Sequence, residues 1–232
     1  MIYGVAPHVI HREIFRKCAV RDARYLMGSK SAVVVFAEAE PRRAFRDAGL
    51  TDHDKSKRLA EITLGATAQE TGLLTLDLAV WPDSGIVCAA SLPECEVVCS
   101  RELARYRPSE LTEWILRLAN GRGAYAVFMH SAEDWAAFAV WSDGALVRSL
   151  SMNPSSGVME DMGEHLPFEF PFWEGERSVR NEPNYALPFH PIDFGNEALR
   201  EFFGFVLEGR EDELCFDLEE FEVPAFRAVS QA

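Results

Sequence analysis

"DWAAFAVWSDGALVRSLSMNP", residues 134–154, sets two apolar runs on either side of Ser-Asp-Gly. Asp-Gly between apolar runs is a strong hairpin signal, because a type I′ turn needs positive φ at both central positions. With Asp143-Gly144 as that turn, Trp141 faces Leu146, Ala139 faces Arg148, Ala137 faces Leu150 and Trp135 faces Met152. All four pairs share one side of the ribbon, which gathers Trp135 and Trp141 around the Arg148 guanidinium. The other side holds Phe138, Val140, Val147 and Ser149. A lone buried charge costs more than stacking on an indole returns, so Arg148 needs a carboxylate or a route to water. Glu160, Asp161 and Glu164 are the candidate structural partners. The alternative makes Arg148 an anion-binding group in a pocket.

Outward from the hairpin, "SAVVVFAE" (31–38) is a continuous apolar run of strand length and reads as a central strand. Pro41 and Gly49 bracket a short helix carrying Ala44, Phe45 and Ala48. A second helix over 53–64 turns Leu59 and Ile62 inward. Strand-like runs follow at 73–81, 85–91 and 95–100. "RPSELTEWILRLANG" (107–121) is an amphipathic helix with Leu111, Trp114, Ile115 and Leu118 on one stripe. A strand over 124–130 leads into the hairpin. A late helix is expected from an Asn196 cap to Gly209, burying Leu199, Phe202, Phe203 and Val206, with a last strand at 221–229. These elements predict an α+β fold: a mostly antiparallel sheet holding the 134–152 hairpin, with flanking helices. Residues 154–195 carry six prolines and the aromatics Phe168, Phe170, Phe172, Trp173, Tyr185 and Phe189. Proline opposes long helices and central strands, and so many rings oppose disorder. The segment therefore reads as a long ordered loop across the core, a kind of segment that is often functional.

The chain of 232 residues is 48% hydrophobic, enough for a sizeable core without disulfides or metal. Residues 1–26 hold Arg12, Arg16, Lys17, Arg21 and Arg24 against Glu13 and Asp22. That is a net of +3 within an overall −14, which leaves −17 for the rest. This basic extension reads either as an amphipathic helix with Ile10, Ile14 and Cys18 on its apolar stripe, or as sequence ahead of a second start at Met27. Residues 27–232 read as a single α+β domain. Strong acidity excludes nucleic acid as a partner, since phosphate neutralisation needs clustered bases. Nine acidic side chains within 201–224 face only Arg210, a pattern that suits solubility or a basic protein partner. No apolar run reaches the roughly 18 residues of a membrane span, and the N-terminus lacks a signal-peptide layout. Cys18, Cys88, Cys95, Cys99 and Cys215 read as reduced thiols, which fits a cytoplasmic location.

Motifs with a known mechanism are missing. "GRGAY" lacks the residues of a phosphate loop, and neither G-x-S-x-G nor His-Glu-x-x-His occurs. "HRE" (11–13) and "PECEVVC" (93–99) only approach a zinc deaminase pattern. On a strand, Cys95 and Cys99 stand about 13 Å apart, too far to share an ion. No cofactor and no metal is therefore implied. "MHSAEDW" (129–135) sets His130 and Asp134 around a turn, where they serve as an acid–base pair or as a turn cap. His165 and His190 in the long loop would reach a metal with His130 only if all three converged.

The stretches "MGSKSAVVVFAE" (27–38), "DWAAFAVWSDGALVRSLSMNPSSGVMEDMGEHLPFEFPFWEG" (134–175) and "LPFHPIDFGNEALREFFGFVLEG" (187–209) resemble a family of small actinobacterial hypothetical proteins. The resemblance covers most of residues 27–209 and implies a bacterial, cytosolic, stand-alone domain of unknown role. It carries over no catalytic or binding residue. Two expectations follow. The first is a non-catalytic interaction protein, adaptor-like or immunity-like, presenting an acidic surface to a basic partner. The alternative is a small-molecule binder or enzyme with a pocket beneath 154–195, using Arg148, Trp135, Trp141, His130, Asp134, His165 and His190. The oligomeric state is not written in the sequence.

Overall fold

The computed structural model describes residues 28–46, 49–179, 184–209 and 215–229. The expected extension over residues 1–26 lies outside these. Nine strands form one sheet in the order β2-β9-β3-β4-β1-β5-β6-β7-β8. They are β1 Lys30–Ala37, β2 Ala68–Thr75, β3 Ile86–Ser91, β4 Cys95–Cys99, β5 Gly123–His130, β6 Trp135–Ser142, β7 Ala145–Asn153, β8 Gly157–Met162 and β9 Glu222–Ala228. Every neighbouring pair is antiparallel. The apolar run at 31–38 is the middle strand, buried on both faces as its lack of alternation required.

Helices cover both sides of the sheet. Helix α1 (Pro41–Arg46), the single turn α3 (Leu76–Ala79), the single turn α5 (Phe170–Trp173) and α6 (Pro191–Phe203) pack on one face. Helices α2 (His53–Leu64) and α4 (Thr112–Ala119) pack on the other. The two apolar layers follow the period of the strands, so Val33, Val127 and Phe138 lie in one and Val34, Phe128 and Ala137 in the other. Among the described residues no helix is long and apolar enough to cross a membrane.

Several expected elements shift. The run 73–81 is not one strand: β2 ends at Thr75, where the Leu76 N–H bonds the Phe221 carbonyl and the chain turns into α3. Ile62 is about half exposed rather than inward. The late helix begins at Pro191, which supplies a ready φ at its first position, and ends at Gly204 in the left-handed region. Asn196 is therefore inside the helix. Its buried amide donates to the Ile192 carbonyl and accepts from the Leu207 and Glu208 N–H groups. The segment 154–195 contains the edge strand β8 and the turn α5, and it sends Phe172 and Phe189 into the core.

The largest correction is in the hairpin. Asp143 (φ 52°) and Gly144 (φ 75°) form the expected turn, and Ser142–Ala145 and Trp141–Leu146 pair as expected. Val147 then bulges out, so that Arg148 pairs with Val140 instead of Ala139. A one-residue slip exchanges the faces. Trp135 and Trp141 lie in one apolar layer, while Arg148 emerges on the other, 5.8 Å over the Phe138 ring. The tryptophan–arginine face does not exist.

Arg148 is fully buried and paired, as the structural alternative required. Its Nε donates to Glu169 Oε1 at 2.8 Å and its Nη2 to Glu169 Oε2 at 2.7 Å. Nη1 donates to Asp161 at 2.5 Å and to the Met162 carbonyl at 3.0 Å. Asp161 was among the expected partners; Glu169, itself fully buried, was not. Burial alone would favour loss of the guanidinium proton, but these bonds outweigh it and hold the pKa above its ordinary value. The charge thus staples the segment after β8 onto β7. Gly163 completes the staple with a left-handed φ of 82°, and a Cβ there would stand 1.9 Å from the Val147 carbonyl oxygen.

Breaking one side of this buried pair strands a charge. Arg148→Met is expected to lower stability by about 3–5 kcal/mol, and adding Glu169→Leu should recover a large part of that loss. Urea unfolding of the single and double variants measures both effects. By the same assay Gly163→Ala should cost about 1–3 kcal/mol, because backbone must move and φ is strained.

Candidate functional site

The described surface carries two shallow concavities, both lined by residues outside 154–195. One, of about 340 Å³, is a shallow depression lined by Arg58, Glu61, Ile62, Ala66 and Thr67. The other, of about 250 Å³, is lined by Trp81, Ala104, Tyr106, His130, Glu133 and Trp135. The second gathers three aromatic rings, an imidazole and a carboxylate.

The sheet builds two of its walls. His130 ends β5 and Trp135 opens β6, and the two are register partners on one face. A single 3₁₀ turn, Ser131–Glu133, joins them, and Asp134 closes it with φ 46°. That turn swings Glu133 back over the strand end, with Oε1 3.9 Å from His130 Nδ1. Trp135 is fixed from below, since its indole N–H donates to Ser151 Oγ at 3.0 Å. Trp81 reaches the site because α3 stops at Ala79 and the Val80 carbonyl is tied to the Ala32 N–H. Its ring meets the His130 ring edge-on at 5.5 Å. Arg101 lies over Trp81 at 5.5 Å, its charge balanced by Asp83 at 3.5 Å.

The remaining wall hangs on Glu102. Its carboxylate accepts from Ser84 Oγ and the Gly85 N–H, both at 2.8 Å, and from Ser100 Oγ at 2.6 Å. Burial pushes this carboxyl up, but the three bonds outweigh it and bring the pKa down to about 2. The bonds fix the turn at 101–103, which leads into Ala104 and Tyr106. The Tyr106 hydroxyl donates to Glu133 Oε2 at 2.5 Å, and its ring meets Trp135 at 5.0 Å. That bond, aided by partial burial and by the negative charge itself, raises the Tyr106 pKa and keeps the phenol protonated.

The residues singled out in the sequence do not assemble as one site. His130 and Trp135 line the cleft. Asp134, next to Glu133, turns to the opposite side and lies 3.7 Å from His190 Nε2. His190 precedes α6 and stacks with Tyr185. His165 stacks on Trp173 at 5.0 Å. Trp141 donates to Thr112 Oγ1 near the far end of the hairpin. Arg148 is in the staple. Among the described residues no three His, Cys, Asp or Glu side chains gather to hold a metal ion. Cys88, Cys95 and Cys99 carry free, buried thiols. Burial pushes the Cys88 and Cys95 thiols up to about 12 and raises Cys99 well above its ordinary value, which disfavours the thiolate at all three.

Sequence reasoning missed Trp81, Tyr106 and Glu133. Glu133 lies inside the "MHSAEDW" stretch, and only the handedness of the turn decides that it, and not Asp134, meets His130. Trp81 and Tyr106 carry no local signal, because loops separated in sequence bring them together.

Glu102 supplies a pH test. Its folded pKa is depressed, so its stabilisation is present above the ordinary carboxylate range and is lost as pH falls from about 4.5 to about 2. Glu102→Gln should lower the melting temperature at pH 7 by about 2–4 °C, a partly exposed group being worth no more than about 1 kcal/mol. The difference from wild type should shrink steadily toward pH 2 in calorimetric scans.

A family model, "Family of unknown function (DUF6928)", matches residues 31–226, and the chain belongs to that family. No curated protein and no solved structure matches it.

Proposed function

We propose that this member of DUF6928 is a non-catalytic binding protein of the cytoplasm, adaptor-like or immunity-like, that takes a cationic side chain of a basic protein partner into the Trp81–Tyr106–Trp135 cleft. The observation that carries this reading is the grouping of three aromatic rings around one carboxylate, Glu133. Ring faces carry negative charge and attract an ammonium or guanidinium, and a carboxylate beside them adds a charge-assisted bond. One Glu133 oxygen is held by Tyr106, while the other faces His130 across 3.9 Å, too far for a hydrogen bond. That second oxygen is placed to receive a donor. The overall charge of −14 supports the same reading, because it draws basic partners toward the chain at low ionic strength.

Its non-catalytic character is supported by where the reactive groups lie. Arg148 is spent on Glu169 and Asp161, and three thiols are buried away from the cleft.

Titration of a lysine- and arginine-rich peptide into the full chain tests the proposal, read by calorimetry at low and high salt. Glu133→Gln is expected to weaken binding about tenfold, and Trp81→Ala by a similar factor, with binding falling as salt rises. Binding that is indifferent to both substitutions and to salt would overturn it.

A further inference from the structure

We infer that the cation suited to the Trp81–Tyr106–Trp135 cleft is a fully methylated ammonium, carried by a trimethylated lysine of the basic partner. The inference rests on the cation-binding reading above and names the chemical form of the group that the cleft takes.

A count of hydrogen-bond acceptors separates a methylated from a plain ammonium. A lysine ammonium brings three N–H donors, and each needs an acceptor once its water is removed. The cleft has few to give. The Tyr106 hydroxyl is engaged with Glu133 Oε2, and the Ala104 carbonyl accepts from Arg105 Nη1 at 3.1 Å. His130 Nδ1 is shut away from solvent and makes no hydrogen bond, and the indole N–H of Trp135 is held by Ser151. That leaves Glu133 Oε1, a single carboxylate oxygen, to meet the three donors. The faces of the rings accept an N–H only weakly. Methylation removes the demand and keeps the charge, and quaternary ammonium is the group that aromatic cages recognise.

The same neighbourhood shows what an unmethylated cation needs. The Arg101 guanidinium lies 5.5 Å over Trp81, with the Pro82 carbonyl accepting from its Nε and Asp83 3.5 Å from its Nη2. Neither Pro82 nor Asp83 lines the cleft. Shape points the same way. Trp81 meets the His130 ring at 67° and Tyr106 meets Trp135 at 62°, so the walls form corners and not a slot. A planar guanidinium covers one ring at a time, whereas a near-spherical trimethylammonium touches rings set at steep angles to one another. The volume of about 250 Å³ suits a single head group and falls below that of sites for drug-sized ligands.

Calorimetric titration of the full chain with three peptides of one basic sequence tests the inference. Their central lysine is unmodified, trimethylated, or carries a neutral tert-butyl group in place of the trimethylammonium. The trimethylated peptide should bind about tenfold more tightly than either of the others. Tyr106→Phe keeps the ring but frees Glu133 Oε2 for a second N–H, and should narrow the preference over unmodified lysine to about threefold. Each preference is a ratio measured on one protein, so partial unfolding of a variant lowers both affinities and leaves the ratio unchanged. A tert-butyl peptide that binds as tightly as the trimethylated one overturns the inference, because charge is then not what the rings recognise. Equal binding of the unmodified and trimethylated peptides also overturns it. If that common affinity still falls with Glu133→Gln and with salt, the cleft remains a cation site without a preference for methylation. If no peptide binds, both readings fall. Free tetramethylammonium should displace the trimethylated peptide only when in large excess over it; displacement at equal concentration overturns the protein partner as carrier of the group.

Discussion

The two-pronged bond between Arg148 and Glu169 is the constraint on which the organisation of this molecule depends. Both side chains are fully buried, and each would be costly without the other. For the guanidinium to reach Glu169, β7 must present residue 148 to the face that carries α6. The bulge at Val147 performs that rotation. With the arginine turned away, the opposite face is free to bury Trp135 and Trp141, and Trp135 becomes a wall of the cleft. One extra residue in a ladder thus separates a structural charge from the aromatic cleft.

The cleft follows the same logic of displaced function. Nothing in it is held by a regular element alone. His130 and Trp135 stand at strand ends, Trp81 follows a helix of one turn, and Tyr106 sits beyond a turn fixed by Glu102. Each wall is nevertheless tied down: the indole of Trp135 to Ser151, the phenol of Tyr106 to Glu133, and the Glu102 carboxylate to three donors. The walls thus come from strand ends and loops, and of the bonds that fix them only that of Trp135 to Ser151 is buried.

Much of the architecture was legible in the sequence because local chemistry decided it. Asp143-Gly144 dictates its turn, and the unbroken apolar run of β1 requires a doubly covered position. The errors have a common cause in contacts distant along the chain. Val147 bulges because Gly163, sixteen residues on, presses against its carbonyl, and because Glu169 waits for Arg148. The strand expected over 73–81 stops early because Phe221 takes the Leu76 N–H. The helix start at Asn196 was a contest between two good local signals, and Pro191 prevailed because the Asn196 amide serves the chain that leaves the helix. For the site, His130 and Trp135 could be read from one short stretch, but Trp81 and Tyr106 could not.

The margins of the sheet carry a last consequence. β2 is broken by an irregularity between Glu70 and Gly72, where φ reaches 142°, and β8 meets its neighbour across another irregularity at Ser151–Met152. On β8 the carboxylates of Glu160 and Asp161 are already committed to Ser109, Ser149 and Arg148. A foreign strand laid along either border would lose register within a few residues. Among the described residues, both borders of the nine-stranded sheet are thus irregular, which disfavours its growth by pairing with another strand.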